Sequence, residues 1–123
     1  MQLSIQILVG LLTFICIAGG MNLLLKGVAS FLPKGAKSPP VLDNLFRFLS
    51  GIYFGLGFMM AWVCFHLETV GNLVYFIGFV VLCSGLGRLY SRMKLGSAGN
   101  YLFFIMIFEI VLGILIMVLQ FLK

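Results

Sequence analysis

Apolar residues run almost without interruption through four stretches of the chain, at about residues 3–25, 44–65, 70–90 and 100–122. Each is about 20 residues or longer, enough to cross a hydrocarbon layer of roughly 30 Å. Polar residues gather between the stretches, at about 26–43, 66–69 and 91–99. With no water at that depth, a spanning segment must satisfy its own backbone hydrogen bonds, so each stretch is predicted as a helix. The strict alternation of a barrel strand is missing. The expectation is an all-α chain: an integral membrane four-helix bundle filling residues 1–123 as one domain.

The breaks between stretches carry local signals. The first stretch does not read as a signal peptide: no Lys or Arg precedes it, its apolar region is too long, and no A-x-A site follows. The longest connection holds Lys26, Lys34 and Lys37 with Pro33, Pro39 and Pro40, and Pro39-Pro40 is read as lying outside any helix. Asp43 is placed to cap the second helix and Thr69 the third. The run His66-Leu67-Glu68-Thr69 is so short that helices 2 and 3 are expected to form an antiparallel hairpin.

Composition agrees. Hydrophobic residues are 63% of the chain and charged residues 9%, against roughly 25% charged in soluble domains. The net charge of +5 does not indicate a nucleic-acid patch, because all basic residues except Lys123 flank the apolar stretches, where they set topology and meet anionic lipid. Lys26, Lys34 and Lys37 fall in one loop, Arg88, Arg92 and Lys94 around another, and Arg47 just inside helix 2 on the same side. The positive-inside rule makes this side cytoplasmic and both termini external. Cys16, Cys64 and Cys83 are scattered through apolar stretches without a C-x-x-C, so thiols packed as small hydrophobes are expected, with no metal site or cofactor. The two halves show a faint repeat: Asn44 and Gly57 match Asn100 and Gly113 in spacing, and Cys16-x-x-Gly19-Gly20 echoes Cys83-x-Gly85-x-Gly87.

Lipid tails give helices little hydrophobic reason to associate, so small residues mark the faces that pack. Gly51, Gly55 and Gly57 mark helix 2, ordinary packing within the monomer being weighed above a dedicated dimer motif. Gly78 and Gly85 share a face of helix 3, and Gln6, Gly10, Thr13 and Gly20 a stripe of helix 1. In helix 4, Glu109, Gly113 and Gln120 share a stripe expected to face protein.

Glu109 is the sharpest single signal. It lies about eight residues into helix 4, so roughly 12 Å below the inner boundary at ~1.5 Å per residue. A carboxylate there costs at least about 2.5–3.5 kcal/mol unless it pairs, meets water or keeps its proton. Arg47 is the expected partner, with Arg88 at comparable depth; Asn22, Ser50, Tyr53 and Ser84 complete a predicted polar cluster in the inner half of the membrane. Three readings stand: a structural ion pair, a site for a lipid headgroup or other anion, and a proton-coupled transport carboxylate. Arg47 also has a simpler alternative in Asp43, one helical turn away.

The run Asn44-Leu45-Phe46-Arg47-Phe48-Leu49-Ser50-Gly51-Ile52-Tyr53-Phe54-Gly55-Leu56-Gly57 resembles the signature of a bacterial family of small four-helix inner-membrane proteins, classified only as a domain of unknown function. The resemblance extends to the Gly-rich end of helix 1, Pro33-Lys34 and the Cys83–Arg88 stretch. It implies a multi-pass protein of the bacterial cytoplasmic membrane that forms oligomers, and it implies no chemistry. The family motif falls on Arg47, Gly51, Tyr53, Gly55 and Gly57.

With one His, three acids and no nucleophile–base pair or phosphate loop, an enzyme is not expected. The expected function is a non-enzymatic homo-oligomer, dimer or trimer, that binds membrane lipid, especially anionic lipid at the cytoplasmic face, and supports the cell envelope. The alternative is a small proton-coupled exporter that uses Glu109.

Overall fold

Proline and glycine set the element boundaries. The computed structural model describes residues 2–123. Its helices are α1 (Gln2–Lys26), α2 (Pro40–Phe65), the single turn α3 (Leu67–Val70), α4 (Leu73–Leu95) and α5 (Asn100–Leu122), with a 3-10 segment at Gly27–Phe31. No strand occurs among the described residues. The four long helices are each long and apolar enough to cross a membrane.

Three expectations about the boundaries need correction. Pro40 does lie in a helix, as the first residue of α2. Its fixed φ suits that position, and its missing N–H has no helical acceptor to lose. Asp43 is therefore a first-turn residue, and its own N–H donates to Pro39 O at 2.9 Å. Between α2 and α4 the chain forms α3 rather than a simple turn, so α4 begins at Leu73, and Thr69 lies inside α3 with its hydroxyl on His66 O. At the other end α4 runs on to Leu95. Arg92 and Lys94 occupy its last turn, where cations favour the negative end of the helix dipole.

The chain forms two compact units: Val9–Cys64, and Phe65–Lys123 together with the start of α1 up to Leu8. In the first, α1 and α2 run antiparallel. Gly10 lies beside Cys64, Cys16 beside Met60, and Gly20 beside Phe54. A Cβ on Gly20 would lie 2.9 Å from the Phe54 backbone, and one on Gly57 would lie 3.2 Å from Cys16 Cβ. The buried residues of α1 are Ile5, Val9, Leu12, Cys16 and Gly20, one helical face. The predicted stripe was turned slightly from it: Gln6, Gly10 and Thr13 are only partly buried and flank that face.

In the second unit α4 and α5 form an antiparallel hairpin. Val74, Ile77, Gly78, Val81 and Gly85 are the buried positions of α4, and Met106, Glu109, Leu112, Gly113 and Ile116 those of α5. The backbones meet at Gly78 and Gly113: a Cβ on Gly113 would stand 2.7 Å from both Gly78 O and Leu82 N. Close approach of this kind is how helices associate where burial alone gives no drive. Large apolar side chains such as Phe14, Phe58, Phe76, Phe104 and Phe121 remain exposed, as a lipid-facing surface requires.

Candidate functional site

Glu109 is one of two buried polar residues among the described residues, with 8% of its surface exposed. It shares a face of α5 with Met106, Gly113 and Ile116, as its spacing predicted. Antiparallel packing brings Arg88 of α4 opposite. The Arg88 Nε–H is shared between Oε1 and Oε2 at 3.2 Å each. The pair is asymmetric in exposure: the Glu109 side chain is 11% exposed and the Arg88 side chain 42%. The charge of Glu109 is thus met inside the hairpin, while the rest of the guanidinium reaches outward as long basic side chains do near a membrane surface.

Arg47 was the expected partner of Glu109, and this is corrected: it takes the nearer alternative. Arg47 Nε donates to Asp43 Oδ2 at 2.7 Å, and Nη1 donates to Leu24 O at 2.8 Å and more weakly to Leu25 O at 3.4 Å. The other Asp43 oxygen accepts Val28 N–H at 2.9 Å. Helix ends leave carbonyls and amides without helical partners. Here Arg47 satisfies the last carbonyls of α1 and Asp43 satisfies an amide just beyond. Gly27, at φ +70°, makes the turn between them, and a Cβ there would collide with Asp43 Oδ1 and Arg47. The i, i+4 spacing favours the Asp43–Arg47 pair locally, whereas a pair with Glu109 requires a tertiary contact.

Two of the predicted hydroxyls bond within their own helices. Ser50 is buried, and its hydroxyl donates to Phe46 O on its own helix at 2.8 Å. Ser84 does the same to Val80 O at 3.1 Å. Asn22 is exposed. Tyr53 is partly buried beside Gly19. Of the glycines singled out for packing, Gly57, Gly78, Gly85 and Gly113 lie against neighbouring atoms within their units; Gly51 and Gly55 do not, since a Cβ at either would meet nothing within 4 Å among the described residues.

A cleft of about 110 Å³ opens at the turn between α4 and α5, lined by Arg88, Ser91, Arg92, Leu102, Phe103 and Met106 among others. The Arg92 guanidinium lies over the Phe103 ring at 4.5 Å and donates from Nη1 to Ser97 Oγ at 3.2 Å. Ser97 Oγ also accepts Gly99 N–H at 3.2 Å, just before α5 begins. In the sequence alone Arg92 is only a loop charge. Its i, i+4 spacing from Arg88 was the signal that both arginines share one helix face. Among the described residues no group of His, Cys, Asp and Glu is arranged to hold a metal.

Four helices long and apolar enough to cross a membrane, packed through close glycine contacts, are the architecture of a multi-pass helical membrane protein. The chain belongs to the family described as a domain of unknown function, DUF4345, whose match covers residues 4–120. No curated protein and no solved structure matches it.

Proposed function

We propose that this chain is a non-enzymatic protein of the bacterial cytoplasmic membrane that assembles with further copies of itself, binds anionic lipid at its basic end and supports the envelope. The observation that carries the reading is the partial exposure of its two membrane-end arginines. Arg47 and Arg88 each engage an acid, yet their side chains stay 43% and 42% exposed. Lys34 and Lys37 lie in the connection that leads into α2, and Arg92 and Lys94 in the last turn of α4. Juxtamembrane cations of this kind attract anionic headgroups at about 1 kcal/mol each. The positive-inside rule places both termini outside; a C-terminal reporter that reads as cytoplasmic overturns that orientation. The open backbone beside Gly51 and Gly55 supports self-association, because small residues let a second helix approach.

Native mass spectrometry of the full chain in mild detergent tests the reading. Retained phosphatidylglycerol on an oligomer is expected, and a lipid-free monomer overturns it. The exporter reading rests on Glu109 exchanging a proton. Its close pairing with Arg88 favours a structural role, and a Glu109→Gln variant with unchanged flux would remove the carboxylate from any transport.

A further inference from the structure

We propose that the cleft at the α4–α5 turn is a specific binding site for a phosphate ester, built around Arg88 and Arg92. The inference rests on the lipid-binding reading and narrows it from a diffuse basic rim to one site.

The two arginines stand one helical turn apart and both line the cleft. Like charges at that spacing repel, so each needs compensation, and each is compensated in a way that leaves donors over. Arg88 commits only its Nε–H, to Glu109, and its terminal nitrogens have no partner among the described residues. Arg92 is steadied by the Phe103 ring and by one bond to Ser97. A guanidinium carries five N–H donors, and paired donors match phosphate oxygens.

The other wall belongs to the start of α5. Leu102 and Phe103 of its first turns line the cleft, and the first helical hydrogen bond to form is Phe103 N–H to Gly99 O. The amides ahead of it have no helical acceptor, and the positive end of the helix dipole lies there. Gly99 carries no side-chain cap. An anion is the natural complement of such an end when side-chain cations converge on it.

The volume suits a compact group. About 110 Å³ is well above the ~10–15 Å³ that one water occupies on the same measure. Two guanidinium charges less the Glu109 carboxylate leave one net positive charge, which a phosphodiester monoanion balances. The cleft lies at the helix ends, which a membrane-spanning hairpin brings to headgroup level, with Leu102, Phe103 and Met106 as an apolar flank for the beginning of an acyl or glycerol moiety. The same phosphate chemistry is offered by a lipid headgroup and by free phosphate.

The full chain, purified in detergent, is titrated with phosphatidylglycerol and, separately, with inorganic phosphate, with phosphatidylcholine as the zwitterionic control. Binding is read by native mass spectrometry and by the amide resonances of Ser97 to Leu102. Arg92→Gln is expected to weaken phosphatidylglycerol binding by about ten- to a hundredfold, the worth of one or two charged hydrogen bonds. Arg92 takes no part in the Glu109 pair, so this variant keeps the hairpin intact. Arg88→Gln should show a similar loss. Glu109→Gln should bind more tightly than the parent, because it releases Arg88 Nε and removes a competing charge; a purely structural pair would not produce that gain. Lys34→Gln, in the other basic connection, should change little. If inorganic phosphate alone shifts the same amides and displaces the lipid, the phosphate group suffices. If only phosphatidylglycerol does so, the site reads the headgroup in its lipid setting. Unchanged phosphatidylglycerol binding in both arginine variants overturns the site while leaving the broader lipid reading in place. No preference over phosphatidylcholine overturns both.

Discussion

Arg88 and Glu109 meet through a single shared hydrogen, the Arg88 Nε–H lying 3.2 Å from each oxygen of the carboxylate. Removing one member of a buried pair strands the other, at about 3–5 kcal/mol when the site is dry. Arg88 is 42% exposed, so solvent and headgroups screen it and the loss should fall below that range. Arg88→Leu is expected to lower the thermal midpoint in detergent, and Glu109→Leu to lower it less, since an exposed arginine tolerates solitude better than a buried acid. The double variant should recover much of the loss, giving a coupling of at least about 0.5 kcal/mol. Additive losses would show that the pair does not contribute to the hairpin.

Asp43 and Arg47 hold the end of α1 as a shared network. Asp43→Ala and Arg47→Ala should each lower the thermal midpoint, and the double variant should lower it by less than the sum of the two. Hydrogen exchange should speed up at Val28 in the Asp43 variant, because that amide loses its acceptor. Unchanged protection at Val28 would rule out the clasp.

The glycines separate cleanly by surroundings. Gly113→Ala places a methyl within 2.7 Å of Gly78 O and Leu82 N, so the hairpin must spread. A fall in thermal midpoint equivalent to ~1–3 kcal/mol is expected from such overpacking. Gly51→Ala meets nothing within 4 Å and should leave monomer stability unchanged or slightly raised, since alanine favours helix. If Gly51→Leu lowers the oligomer fraction while the helical signal is retained, that face is where copies meet; an unaltered oligomer removes it from the interface.

Gln120 Oε1 is buried with no hydrogen-bond partner among the described residues. An unmet acceptor costs about 1–3 kcal/mol. Gln120→Met, of similar shape, should therefore be neutral or stabilising in thermal unfolding, and a clear loss of stability would show that the amide has a partner.

The spans and their helical nature were legible because hydropathy and length act alone: no tertiary contact is needed to know that a stretch such as Leu102 to Leu122, apolar but for Glu109 and Gln120, cannot be a loop in lipid. The protein-facing position of Glu109 was legible for the same reason, since helical period carries it to the face of Gly113. Its partner was not. Arg47 and Arg88 lie at similar depths, and choosing between them requires knowing which helix packs against α5. The hydroxyls misled in a different way. Thr13, Ser50 and Ser84 all donate to the carbonyl four residues back on their own helix, so they satisfy themselves locally and say nothing about neighbours. Pro40 does not break its helix, because its position in the first turn removes the penalty.

The Arg47 bond to Leu24 O joins residues 23 apart in sequence. A ribosome adding ~5–20 residues per second takes about one to five seconds to cover that interval. For that time α1 has no cap on its last carbonyls, and they must be served by water or headgroups near the surface. The first span is therefore completed by the second. A chain halted shortly before Arg47 would hold a loosely ended first helix, and one halted after it would hold a closed turn, so the birth of this protein has a definite moment at which its first hairpin locks.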